Sequence, residues 1–187
     1  MRPCDPAAYA YRIARASARR SARGFTLIEL LIVVAIIGII AAIAAPGLLR
    51  ARISGNEASA IGSLRAIGTA EATFARSCGN GLYAASLDVL GSAPSGQEPF
   101  LSPDLTGSGS TTKSGYLLSL DGEAASGTAC NGSTALASGY HSWADPASWT
   151  QGIRYFGSNT TSTLWQASST LSGMSDTATP SNGTPLQ

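Results

Sequence analysis

Arg23-Gly24-Phe25-Thr26-Leu27-Ile28-Glu29-Leu30-Leu31 opens an apolar run that continues to Ala45 and contains one charged residue, Glu29. From Phe25 to Ala45 there are 21 residues. At about 1.5 Å per residue they make a helix of about 30 Å, which matches the hydrocarbon thickness of a bilayer. A carboxylate near the start of such a span costs on the order of 3 kcal/mol by insertion scales, so it asks for a partner. Cutting the chain between Gly24 and Phe25 would supply one, because the new α-ammonium group of Phe25 could meet Glu29 of a neighbouring copy. That pairing is useful only in an assembly.

Working outward, the residues before the run are basic. Arg2, Arg12, Arg15, Arg19, Arg20 and Arg23 stand against one acid, Asp5. Positive charge beside a span stays cytoplasmic and sends the following region across the membrane. A secretory signal peptide is the plainer reading, but its apolar region is about 7–15 residues and its small-x-small cleavage site follows that region. Here the run is longer and the expected cut precedes it. An arginine-rich targeting peptide over Arg2 to Arg23 would leave Glu29 and the uninterrupted span unexplained.

The string from Arg23 to Leu31, with Pro46 downstream, resembles the processing site of type IV prepilins and the related pseudopilins of type II secretion. The resemblance is close over residues 23 to about 53 and one of layout beyond. It implies cleavage after Gly24 by a prepilin peptidase, N-methylation of Phe25, and a role for Glu29 in registering subunits in a filament. Residues 1–24 are longer than the leaders common among type IVa pilins, although Phe25 is the residue that class favours.

The remainder forms one modest domain on a stem. After Gly24 the chain holds six basic and ten acidic residues, a net charge of −4. That balance argues against a nucleic-acid-binding body. Pro46 and Gly47 are expected to weaken or kink the helix, since proline lacks an amide donor and glycine costs about 1 kcal/mol relative to alanine. The pattern then resumes: Ile53, Ala60, Ile61, Leu64, Ile67 and Phe74 fall at three-, four- and seven-residue spacing, with Arg52, Glu57 and Arg65 off that stripe. This predicts a helix from Phe25 to about Arg76, its first half in lipid and its second half the spine of a head. Gly38 and Ala42 make a small-xxx-small pair that would let another helix approach, or Gly38 merely faces lipid.

From Cys78 the texture turns to Gly, Ser, Thr and short apolar clusters. Residues 79–112 read as a long connection with a helical turn near Ser86 to Leu90 and a bend at Pro99 to Asp104. Strands are expected at Ser114 to Leu120, Gly139 to Ala144, Ile153 to Gly157 and Thr163 to Ala167, the last two as an antiparallel hairpin. Residues 172–187, with Pro180 and Pro185, read as a mobile tail. The expected fold class is α+β, a long N-terminal helix on a small antiparallel sheet, divided as 1–24 leader, 25–45 span, 46–171 head and 172–187 tail. Type IV pilins have this order.

With Cys4 in the leader, Cys78 and Cys130 are the pair facing an oxidising compartment, where they form a disulfide or stay as two buried thiols. A bridge would close a loop of 52 residues and stabilise by about 4 kcal/mol in the chain-entropy model. In many pilins a disulfide closes a carboxyl-terminal loop, and a bridge starting at Cys78 departs from that pattern. The residues point to no catalytic constellation, metal site or cofactor. His141 sits on an expected strand, and Asp121 and Glu123 flank Gly122 in what reads as a solvated turn rather than a weak calcium site. Asn131, Asn159 and Asn182 match the glycosylation sequon by coincidence of composition. Trp143, Trp149, Tyr155, Phe156 and Trp165 are expected to pack the sheet on the helix or to fill subunit contacts.

The function these readings imply is a structural subunit of a surface filament. Its partners would be copies of itself, the prepilin peptidase, and a motor and platform in the inner membrane. A type II secretion pseudopilin and a membrane-tethered binding or enzymatic domain that never polymerises are the alternatives.

Overall fold

The computed structural model describes residues 24–186 and separates into two units, dividing between Ala42 and Ile43. Cys4 and the basic leader lie outside the described residues. Helix α1 covers Leu27–Ser77 and continues through Pro46. In the N-terminal unit every apolar side chain of α1 is bare, and the helix contains an 18-residue window of mean hydropathy 3.0 with none of it buried. By length and composition α1 can cross a membrane.

In the second unit, α1 presents Ala60, Leu64, Ile67, Ala70 and Phe74 to the core, while Ile53 and Ile61 are half-buried. The expected stripe is present, with one correction. Glu57 is on it and buried, and so is Glu71. Both lie seven residues from Leu64, two helical turns away on the same face. The helix ends after Ser77, where the Cys78 carbonyl accepts the amide of Cys130 at 3.0 Å. The disulfide between Cys78 and Cys130 closes at the same place, with 4.7 Å between the Cα atoms.

Two antiparallel sheets follow. The smaller joins β1 (Tyr83–Ala84), β5 (Leu136–Ala137) and β4 (Ala124–Ala125) in the order β1-β5-β4. The larger has β2 (Ser110–Lys113), β3 (Tyr116–Asp121), β6 (His141–Pro146), β7 (Tyr155–Asn159), β8 (Leu164–Ala167) and β9 (Thr184–Pro185) in the order β2-β3-β6-β7-β8-β9. The expected strands correspond to β3, β6, β7 and β8, and β7 and β8 form the expected hairpin. The reading of residues 79–112 as connection needs refining. It contains α2 (Leu87–Gly91), a 3-10 turn at Pro103–Leu105, and strand β2. Ser114 and Gly115, read as the start of a strand, are instead the two-residue turn joining β2 to β3. Both have positive φ, 48° and 75°. That is the twist an antiparallel hairpin of right-handed strands requires, and a run without Asn-Gly or Asp-Gly conceals it.

One face of the large sheet buries Tyr116, Leu118, Ala144 and Phe156 against α1. Along β6 the side chains alternate, so Trp143 points to the other face, where it joins Trp165, Leu171 and Met174. Trp143 and Trp165 lie in register on either side of Gly157. A Cβ at Gly157 would stand 2.9 Å from the Met174 sulfur and 3.0 Å from a Leu171 methyl. Glycine there makes room for the segment after β8. Residues 172–186 are therefore not a free tail. Asn159 donates its amide to the Ser175 and Ala178 carbonyls, both at 3.0 Å, and β9 pairs with β8. Polar composition suggested mobility, but Met174, packed with Leu171 and Trp165, and the β8–β9 pairing hold the segment down.

Candidate assembly and processing site

Gly24 and Phe25 precede the first turn of α1 outside any secondary structure and are exposed, Phe25 to 88 %. Among the described residues nothing covers the Gly24–Phe25 peptide bond. Two residues on, the chain makes a reciprocal cap. Glu29 Oε2 accepts the Thr26 amide at 2.8 Å and the Thr26 hydroxyl at 2.7 Å, while Thr26 Oγ1 accepts the Glu29 amide at 3.3 Å. This is a capping box, Thr at the N-cap and Glu three residues later, which satisfies amides that helix geometry leaves without partners. The expectation that Glu29 needs a partner from another copy is thus met in part from within the chain. The spacing Thr-x-x-Glu before an apolar run was the signal for it. The sequence reading treated the carboxylate only as a charge.

The head contributes three polar arrangements. Glu57, 5 % exposed, receives Arg154 Nη2 at 2.6 Å and Nε at 2.9 Å. Arg154 also donates to Gln166 at 2.8 Å and lies 5.4 Å from the centre of the Phe156 ring. This fork ties α1 to the start of β7, a link no sequence spacing announces. The ring nitrogens of His141 both meet oxygens, Asp176 Oδ1 at 2.6 Å and the Ser172 carbonyl at 3.1 Å, and the ring stacks on Trp143 at 5.3 Å. With both ring nitrogens facing oxygens, His141 clamps residues 172–176 to β6. Asp176 Oδ2 accepts the Glu123 amide at 3.0 Å, so the Asp121–Glu123 turn is organised by hydrogen bonds, and among the described residues no cluster of metal-ligating side chains forms there.

The third arrangement is Glu71, fully buried beneath β1. Its Oε2 accepts the Ala84 amide at 2.9 Å, and Oε1 has no partner. Burial pushes its carboxyl up to about 8, against the opposing pull of the Ala84 amide. The Tyr140 hydroxyl, in the same core, is raised by burial and then by the neighbouring Glu71. Nearer the base of the sheet, burial raises Asp145 above the usual carboxylate range while a Thr170 hydroxyl draws it back. Of the sequons, Asn131 spends its side-chain amide on the Val89 and Ser92 carbonyls, and Asn159 is buried.

Residues 19–45 match the family described as the prokaryotic N-terminal methylation motif. With that motif at the head of a long apolar helix that leads into antiparallel sheets, the chain resembles type IV pilins. It is similar to the type IV major pilin protein PilA of Myxococcus xanthus, 48 % identical over 63 residues, which are 34 % of this chain and 28 % of that protein. It is also similar to the type IV wide pilus major component PilA4 of Thermus thermophilus, 63 % identical over 38 residues, 20 % of this chain and 29 % of that one. The chain thus matches less than a third of the length of these relatives. No solved structure matches it significantly.

Proposed function

We propose that this chain is a structural subunit of a type IV pilus-like surface filament. It is inserted in the inner membrane, cut by a prepilin peptidase between Gly24 and Phe25, N-methylated at Phe25, and polymerised through α1. The supporting observation is an exposed Gly24–Phe25 bond joined to an apolar helix whose side chains find no cover among the described residues. Such a surface is stable only in lipid or among like helices. Moving it from lipid into helix packing is mildly favourable per contact, so a motor and platform are needed to drive assembly. In this reading Pro46 and Gly47 are the place where the rod bends. Glu29 turns from its own Thr26 cap toward the Phe25 amine of a neighbour, exchanging one set of hydrogen bonds for an ion pair in a low-dielectric shaft. The relatives are structural pilus components, in keeping with a chain that carries no catalysis.

Mass analysis of the mature N terminus tests the processing, with N-methylated Phe25 as the expected first residue. A mature chain beginning at Met1, or after Ala45, refutes it. Glu29→Ala is expected to insert and be cut normally yet to enter sheared surface fibres poorly. Equal fibre yield would count against its registering role.

A further inference from the structure

The three tryptophans are treated unequally. Trp165 is buried and Trp143 half-buried, whereas Trp149 is 78 % exposed, and Ile153 in the same β6–β7 loop is 67 % exposed. Two large apolar side chains left bare on a loop whose other residues are Ala147, Ser148, Thr150, Gln151, Gly152 and Arg154 do not serve the core. The loop is firmly seated. The Gln151 carbonyl accepts the Asn56 amide at 2.9 Å, and the Ile153 amide reaches Glu57 at 3.4 Å. The β2–β3 turn sits alongside, with Ser59 donating to Ser114 at 2.9 Å. Loop and turn thus form one end of the large sheet, resting on α1 at residues 56–59.

Charge is polarised along the same axis. At this end Glu57 and Asp104 are matched by Arg154 and Lys113, at 2.6 Å in each case. Arg50 and Arg52 stand exposed on the approaching turns of α1 and make no ion pair among the described residues. The opposite end of the sheet carries Asp121, Glu123 and Asp176. An exposed indole on a loop anchored at Asn56, one helical turn past the uncompensated Arg52, is the combination that settles at a membrane–water boundary, where the ring sits among headgroups and guanidinium groups meet lipid phosphate.

Chain direction decides which boundary this is. Within the second unit, α1 carries bare Ile43, Leu48 and Leu49, then Arg50 and Arg52, and reaches Asn56 seven residues past Leu49. Seven residues are about 10 Å of helix, somewhat more than the roughly 5–8 Å that headgroups add on each side of the hydrocarbon, so Asn56 stands at the outer edge of that layer. We infer that the Trp149–Ile153 loop is a lipid-contact site of the membrane-inserted chain, resting in the headgroup zone of an anionic phospholipid bilayer beside Arg50 and Arg52. The inference rests on the membrane-inserted stage of the function proposed above. It adds a second, surface-lying contact that would hold the head against the bilayer before assembly and be given up on polymerisation.

The full chain, reconstituted in vesicles of phosphatidylcholine with a minority of phosphatidylglycerol, tests this by tryptophan fluorescence. The difference between wild type and Trp149→Phe isolates the loop. With bromine on the upper acyl chains the difference emission should be blue-shifted and fall by about half, and aqueous iodide should quench it several-fold less than an indole in water. A vesicle-bound chain whose Trp149 emission is that of an aqueous indole, open to iodide and untouched by bromine, overturns the inference and leaves the membrane-inserted precursor standing. Protection from iodide that follows the protein-to-lipid ratio and not the bromine assigns the loop to a second copy and overturns it equally. A chain that does not float with the vesicles removes the membrane reading itself.

Discussion

Replacing Glu71 with glutamine takes a titrating group out of the core while keeping its shape and its acceptor for the Ala84 amide. The folded carboxyl holds its proton up to about 8, against 4.5 for the ordinary group. Between those values the unfolded chain has shed the proton and the folded chain has not, so the unfolded state binds fewer protons and stability falls as pH rises. The slope is about 1.4 kcal/mol per pH unit. Carried across the window from 4.5 to about 8, the loss is on the order of 5 kcal/mol. The contribution is fully present below the lower value and gone once pH has passed the upper one. Urea unfolding of the detergent-solubilised chain, followed by tryptophan fluorescence from about pH 5 to about pH 9, measures it directly. In Glu71→Gln the slope should flatten by about one proton, whatever the offset caused by the amide beside the position of the unpartnered Oε1. Wild type and variant with the same pH slope would refute the argument, because the buried group would then be titrating alike in both states.

Converting Cys78 and Cys130 together to serine should lower unfolding stability by about 4 kcal/mol through the reopened loop of 52 residues; a midpoint unchanged under oxidising conditions would show that the bridge adds nothing. Arg154→Ala leaves Glu57 buried without its counterion and should cost about 2–3 kcal/mol, discounted because the guanidinium is half-exposed. A double-mutant cycle with Glu57→Gln should recover much of that loss, and independent additive losses would deny the coupling. His141→Ala should free residues 172–176, raising amide exchange there at least about tenfold while α1 keeps its protection.

How much was legible follows from how far each signal reaches along the chain. The cleavage motif, the span and the buried face of α1 are written in adjacent residues or in a helical period. Ala60, Leu64, Ile67 and Phe74 were readable for that reason. Glu57 and Glu71 occupy the same period, yet Glu57 was placed off the stripe and Glu71 drew no reading, since a carboxylate on an apolar face contradicts the transfer rule that defines the stripe. Strand β9 and the packing of Leu171 and Met174 were invisible because a short polar segment becomes ordered only when another surface, here Gly157 flanked by Trp143 and Trp165, has a place for it.

By itself, then, the amino-acid order carried a prepilin-like motif around Gly24 and Phe25, an apolar segment long enough to cross a membrane, and a long helix followed by a β-rich head. Those properties depend on hydrophobicity and periodicity along one continuous stretch. Only the tertiary structure decided that Glu57 finds Arg154 97 residues away, that His141 clamps the C-terminal segment, and that Trp149 is left facing outward. These depend on strand register and on how distant segments seat on α1, and a shift of one residue in the pairing of β6 would turn His141 to the other face of the sheet.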